Sequence, residues 1–266
     1  LDYGNNTLNH FLDIVFSKPK LAATLSASFA KLLGFWNETL PKTTNIILIL
    51  PPMLFLMSTF KDKLLSTLWI FLVLFFSGKL LINGLMDGVI SLYFVSNILL
   101  SYMIIFDKNT SDKKLLYFLM FLFFSILSLT KNEGAIMLCI IITSTVLLDF
   151  LYKNKPNLIF LSIGSFSLFP LILWKLYFYI NNIKMEFLQF GSPIDRFISR
   201  VTNLYDLKNI IYFLLHNEKL IIALILFIIC STLNFKKEKK LIYFILFNFA
   251  LYFLILMTAI FLTPHT

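Results

Sequence analysis

The sequence predicts an all-α protein, a polytopic bundle of membrane-spanning helices. Of its 266 residues, 59% are hydrophobic and only 14% are charged, where soluble domains carry about 25% charged residues. The apolar residues come in long unbroken runs, whereas a transmembrane barrel shows alternating segments of roughly 10 residues, so helices are preferred. With 31 phenylalanines against 8 glycines and 8 prolines, and a mean hydropathy of +0.85, the chain is excluded from the disordered, collagen-like and disulfide-scaffold classes.

The elements follow in order. Residues 1–43 are expected to form an outer-face loop, in which the moderately apolar Lys20 to Trp36 stretch, interrupted by Lys31 and several hydroxyl residues, lies as an interfacial helix. The alternative is that it spans, which would reverse the sidedness of everything after it. From residue 44 to 266 the chain is expected to be a transmembrane bundle of about eight spans, at 44–60, 64–82, 88–106, 115–130, 134–152, 157–180, 219–235 and 241–263. The fourth is short and needs a neighbour or local thinning of the bilayer. An outer loop at 181–218 separates the sixth span from the seventh.

Sidedness is read from lysine. Lys61 and Lys63, then Lys108, Lys113 and Lys114, then Lys153 and Lys155, then Lys236, Lys237, Lys239 and Lys240 occupy every second connection, which assigns those turns to the cytoplasm. Lys184, Arg196, Arg200 and Lys208 in the long loop run against that pattern. The net charge of +9 therefore reads as membrane orientation and not as nucleic-acid binding. An outward N-terminus without a leader or initiating Met leads us to expect a fragment, cut at both ends.

Charged residues at span boundaries are candidates for chemistry, because a charge left in hydrocarbon costs about 2.5 to 3.5 kcal/mol on insertion scales. Asp87 lies in Asn83-Gly84-Leu85-Met86-Asp87-Gly88, at the start of the third span. It reads equally as a helix cap, worth about 1 kcal/mol, and as a functional carboxylate. Lys131 and Glu133 lie in Leu129-Thr130-Lys131-Asn132-Glu133-Gly134. Lys131 suits a phosphate and Glu133 a hydroxyl, a metal or Lys131 itself; the plain alternative is a polar turn whose Lys and Glu pair at the interface.

The remaining polar residues carry less. His10, His216 and His265 have no metal-ligand spacing, and no serine sits in a nucleophile motif. Asp195, Arg196 and Arg200 could contact an anion but suit a solvated loop equally. Asn5 and Asn37 begin Asn-x-Thr triplets. Cys139 and Cys230 are expected to be buried small hydrophobes. Mid-span regions read as almost uniformly apolar, with Pro51, Pro52 and Pro170 as the clear disruptors.

Three passages resemble the GT-C type integral membrane glycosyltransferases, including bacterial relatives of protein O-mannosyltransferase and the lipid A aminoarabinose transferase. Gly84 to Phe94 is similar to that family's aspartate-bearing outer segment. Leu129 to Gly134 is similar to its Leu-Thr-Lys turn, and Phe261 to Thr266 to a Thr-Pro-His exit from a span. Phe16 to Leu21 is a poor version of the family's Tyr-Pro passage.

The resemblance implies an enzyme of the cell envelope, in a bacterial inner membrane, with its site facing outward. It would move a sugar from a polyprenyl-phosphate-linked donor to a glycan, lipid or protein acceptor. Asp87 would be catalytic, Lys131 and Glu133 would bind substrate, and the metal requirement stays unassigned, with a divalent cation as the candidate cofactor. The family's general base lies just after its first span, upstream of this chain, and neither Asp2 nor Asp13 matches it; the fragment is therefore expected to be an incomplete enzyme. The rival class is a transporter or lipid-linked sugar flippase, which would place polar or helix-breaking residues near the midplane.

Overall fold

The computed structural model describes residues 21–37, 39–82, 86–106, 112–153, 156–181, 208, 212, 216 and 218–262. It divides into two compact units, Leu1–Lys184 and Met185–Thr266. Among the described residues all regular structure is helical.

In the first unit the helices are α1 Leu21–Leu33, α2 Thr39–Ser58, α3 Lys63–Ile82, α4 Met86–Phe106, α5 Lys113–Thr130, α6 Asn132–Lys153, α7 Leu158–Phe166 and α8 Phe169–Ile180. Each boundary has a local cause. Helix α1 stops at Gly34, whose φ of 76° is the left-handed conformation that glycine adopts without a Cβ penalty. Asn37 starts α2: its Oδ1 accepts from the backbone N–H groups of Thr39 and Leu40, at 3.0 and 3.1 Å. Asp112 caps α5 through Leu115 N, and Asn157 caps α7 through Phe160 N. Pro170, in the first turn of α8, has no N–H to offer the turn before it, which separates α7 from α8. Pro51 and Pro52 likewise leave the Ile47 and Leu48 carbonyls of α2 without their helical donors.

Four segments are long and apolar enough to cross a membrane: Met86–Phe106, Lys113–Thr130, Asn132–Lys153 and Leu158–Tyr177. They answer to the third to sixth expected spans. The other four expected spans are not among these segments. Helix α1 is short for a span: 13 residues reach about 20 Å, against roughly 30 Å of hydrocarbon. It lies on α2, with the buried Ser26 hydroxyl 2.9 Å from Thr44 Oγ1.

The second unit departs from expectation. Where two spans were predicted to meet at a four-lysine turn, one helix of 45 residues, α9 (Glu218–Leu262), runs through Lys236 to Lys240. The reason is local: that stretch contains no Gly or Pro, and Lys and Glu are good helix formers. At 1.5 Å per residue it is about 67 Å long, roughly twice the hydrocarbon thickness.

The core of the first unit is centred on α4. Val89, Tyr93 and Leu100 of α4, Met120, Phe124 and Leu127 of α5, and Leu138 and Ile141 of α6 are fully buried. Tyr93 meets Phe123 edge-on at 5.2 Å between ring centroids, and Phe124 meets Phe160 at 6.0 Å. Two glycines sit at close approaches. A Cβ at Gly164 of α7 would stand 3.0 Å from the Ile142 side chain, and one at Gly134 of α6 would fall on the Leu127 carbonyl oxygen. In a bilayer such close packing replaces the hydrophobic effect as the force between helices.

Candidate functional site

Cross-helix bonds establish which helix ends lie together. At one end Lys131, between α5 and α6, reaches the first turn of α4. At the other, Lys153 Nζ donates to the Ile105 carbonyl near the end of α4, 2.6 Å away, and Asn157 Nδ2 donates to Tyr117 Oη at 2.9 Å. Helices α4, α5, α6 and α7 therefore alternate in direction. Lys113, Lys114 and Lys153 share the second end; the Asp87 and Lys131 motifs share the first.

The candidate site is built at that first end. Lys131 Nζ donates to Asp87 Oδ1 at 2.8 Å, joining two motifs that stand 44 residues apart. Lys131 is the C-cap of α5 and has extended backbone, which carries its side chain away from the helix axis. The tight turn is possible because Gly134 has no side chain to strike Leu127. Asp87 is in the first turn of α4, where a carboxylate suits the helix dipole. The structure puts Asp87 in an ion pair across helices, a partner that neither the cap nor the functional-carboxylate reading named, and pairs Lys131 with Asp87 and not with Glu133.

Burial pulls the Lys131 ammonium down. The hydrogen bond it donates to Asp87 and the charges of Glu133 and Asp87 outweigh that, and its pKa stands above the ordinary lysine value. Glu133, exposed in the first turn of α6, acts on Lys131 through its charge. Lys131 is thus drawn to Asp87 by contact and to Glu133 at longer range. The pair remains open: the side chains of Lys131 and Asp87 are 32% and 58% exposed. Such an arrangement can accept a proton at the carboxylate and hold an anion at the ammonium. Among the described residues no group of three His, Cys, Asp or Glu is placed to hold a metal ion.

Other sequence candidates fall elsewhere. His216 stacks on Tyr212, with ring centroids 3.6 Å apart and its Nδ1 2.9 Å from the Tyr212 carbonyl oxygen. Cys139 is exposed on α6, which corrects the expectation that it is buried; its neighbours Leu138 and Ile140 take the inward positions. The side chain of Cys230 lies outside the described residues, as do His10, His265, Asn5, Asp2, Asp13, Asp195, Arg196, Arg200, the Asn83 to Leu85 turn and the Thr263 to Thr266 tail.

Three features escaped sequence reasoning. Along α4, Tyr93, Asn97 and Ser101 recur every fourth residue and are fully buried. Tyr93 Oη, Asn97 Oδ1 and Ser101 Oγ meet no partner among the described residues, so the mid-span region is less uniformly apolar than expected. The periodicity was available, but hydropathy averaging hides single polar residues. Lys175, half-buried in α8, sits inside the Leu158–Tyr177 stretch and could have been marked by the cost of an intramembrane charge. At the far end Asp149, its side chain 2% exposed, pairs with Lys153 at 2.9 Å and accepts from Asn157 N at 2.9 Å. Only the i,i+4 spacing of Asp149 and Lys153 signalled that cluster.

Comparison with known protein families finds none that matches the chain, and comparison with curated proteins and with solved structures finds no match either.

Proposed function

We propose that the chain is a GT-C type membrane glycosyltransferase that moves a sugar from a polyprenyl-phosphate-linked donor to an acceptor at the outer face of a bacterial plasma membrane. The observation that carries this reading is the Lys131–Asp87 pair, a cation and a carboxylate held 2.8 Å apart and open to solvent. It lies at the end opposite Lys113, Lys114 and Lys153, which the positive-inside rule makes the outer end. In the transfer, Asp87 supports the acid–base chemistry at the acceptor hydroxyl. Lys131 neutralises the departing phosphate, and Glu133 orients a sugar hydroxyl. The reading takes about eight spans, a count that requires a turn at Lys236 to Lys240 where the structure has one continuous helix, because charged residues there cannot rest in hydrocarbon.

A second reading, a transporter or lipid-linked sugar flippase, draws support from the buried polar face of Tyr93, Asn97 and Ser101. One experiment separates the two. Membranes expressing the full-length gene are given radiolabelled polyprenyl-phosphate sugars, with Asp87→Asn and Lys131→Ala alongside. Transfer by the wild type and loss in both variants, with insertion intact, is expected. Full activity in either variant overturns the site. Donor crossing the bilayer with no label reaching an acceptor favours the flippase.

A further inference from the structure

A groove of about 460 Å³ runs along the bundle between α5 and α7, lined by Tyr117, Phe118, Phe121, Ser162, Ile163 and Phe166. Its walls are largely aromatic: Phe121 stacks on Phe166, and Phe166 on Phe169, each with centroids 5.8 Å apart. The Tyr117 hydroxyl is engaged by Asn157 Nδ2, so the groove wall keeps an apolar character.

One end of the groove is charged. Lys113 and Lys114 stand four residues before Tyr117 and Phe118 on α5, so each lysine sits one turn beyond a lining residue on the same helix face. Both lysines are exposed, and neither is ion-paired among the described residues. The neighbouring Asp112 carboxylate is turned onto the helix start, accepting from Leu115 N at 3.2 Å. An apolar groove alone offers a bilayer lipid little over its neighbours. A groove with cations at its mouth selects an amphiphile with an anionic head.

We propose that this groove is a binding site for an anionic phospholipid, with one acyl chain along Phe118, Phe121 and Phe166 and the phosphate at Lys113 and Lys114. The inference rests on the chain's being a membrane bundle and is independent of the transferase reading. The lipid belongs to the leaflet on the Lys153 side, opposite the Asp87–Lys131 pair.

The test uses the full chain in detergent micelles, titrated with phosphatidylglycerol or phosphatidylcholine of identical acyl chains. Bound lipid is counted by native mass spectrometry and stability is followed by thermal unfolding. Phosphatidylglycerol is expected to bind about thirtyfold more tightly, from about 1 kcal/mol for each of two lysines. Lys113→Gln with Lys114→Gln should erase that preference, and because both positions are exposed the variant should fold. Ser162→Phe should weaken both lipids by filling the groove, whereas Lys239→Gln with Lys240→Gln should leave the preference intact. Equal affinity of the wild type for the two lipids overturns the proposal. So does an equal loss in the Lys239/Lys240 variant, which would mark general surface charge.

Discussion

The Lys131–Asp87 pair is either a structural clamp or a site held ready, and a double-mutant cycle distinguishes them. The perturbations are Asp87→Asn, Lys131→Gln and both together. With side chains 58% and 32% exposed, the pair should behave as a surface ion pair, which contributes about 0.2 to 1 kcal/mol. We expect each single variant to lose less than about 1 kcal/mol and the coupling to be about 0.5 kcal/mol. For a chain of this size that coupling is a displacement of about 1 °C in the unfolding midpoint. The assay is thermal unfolding of the purified chain in detergent at neutral pH, followed by tryptophan fluorescence. A coupling above about 2 kcal/mol would mean that the pair clamps α4 to the α5–α6 turn. Its charges would then be committed to the fold and not available to a substrate.

Three further outcomes are expected. Because Lys131 has its pKa raised in the folded state, its pairing stabilises fully below the unfolded lysine value of about 10.4 and is lost as pH rises through the folded value. Unfolding midpoints measured from neutral to strongly alkaline pH should therefore converge between wild type and Lys131→Gln only at the alkaline end. Gly134→Ala should destabilise by about 2 kcal/mol even after the gain of about 1 kcal/mol in helix propensity, since the new Cβ meets the Leu127 backbone. Gly164→Ala meets only the movable Ile142 side chain and should cost less; the reverse order in thermal unfolding would refute the packing argument. Asp149→Asn should cost about 1 to 3 kcal/mol, because it breaks a buried carboxylate's bond to Lys153 while keeping its size; an unchanged midpoint would show that the cluster contributes nothing.

Much of the candidate site was legible as separate motifs. Asp87 and Lys131 stand out because a charge beside an apolar run is costly, and that cost can be read from a single segment. Their contact was not legible. It depends on α4 and the α5–α6 turn ending at the same level, which the packing of Leu127 beneath Gly134 and of Tyr93 against Phe123 decides. Tyr93, Asn97 and Ser101 likewise need a neighbour on every side before they count as buried, and no sequence window supplies that.

By itself, then, the sequence determined the helical class, the apolar segments from Met86 to Tyr177 and the lysine turns between them, because hydropathy and helix propensity act over a few residues. It also determined helix ends such as Gly34, Asn37 and Pro170, whose chemistry is local. The tertiary structure alone decided which polar groups meet: Lys131 with Asp87, Lys153 with the Ile105 carbonyl, Asn157 with Tyr117. It also decided that Cys139 faces out. Those outcomes follow from rotation and register between packed helices, set by side chains far apart in the chain.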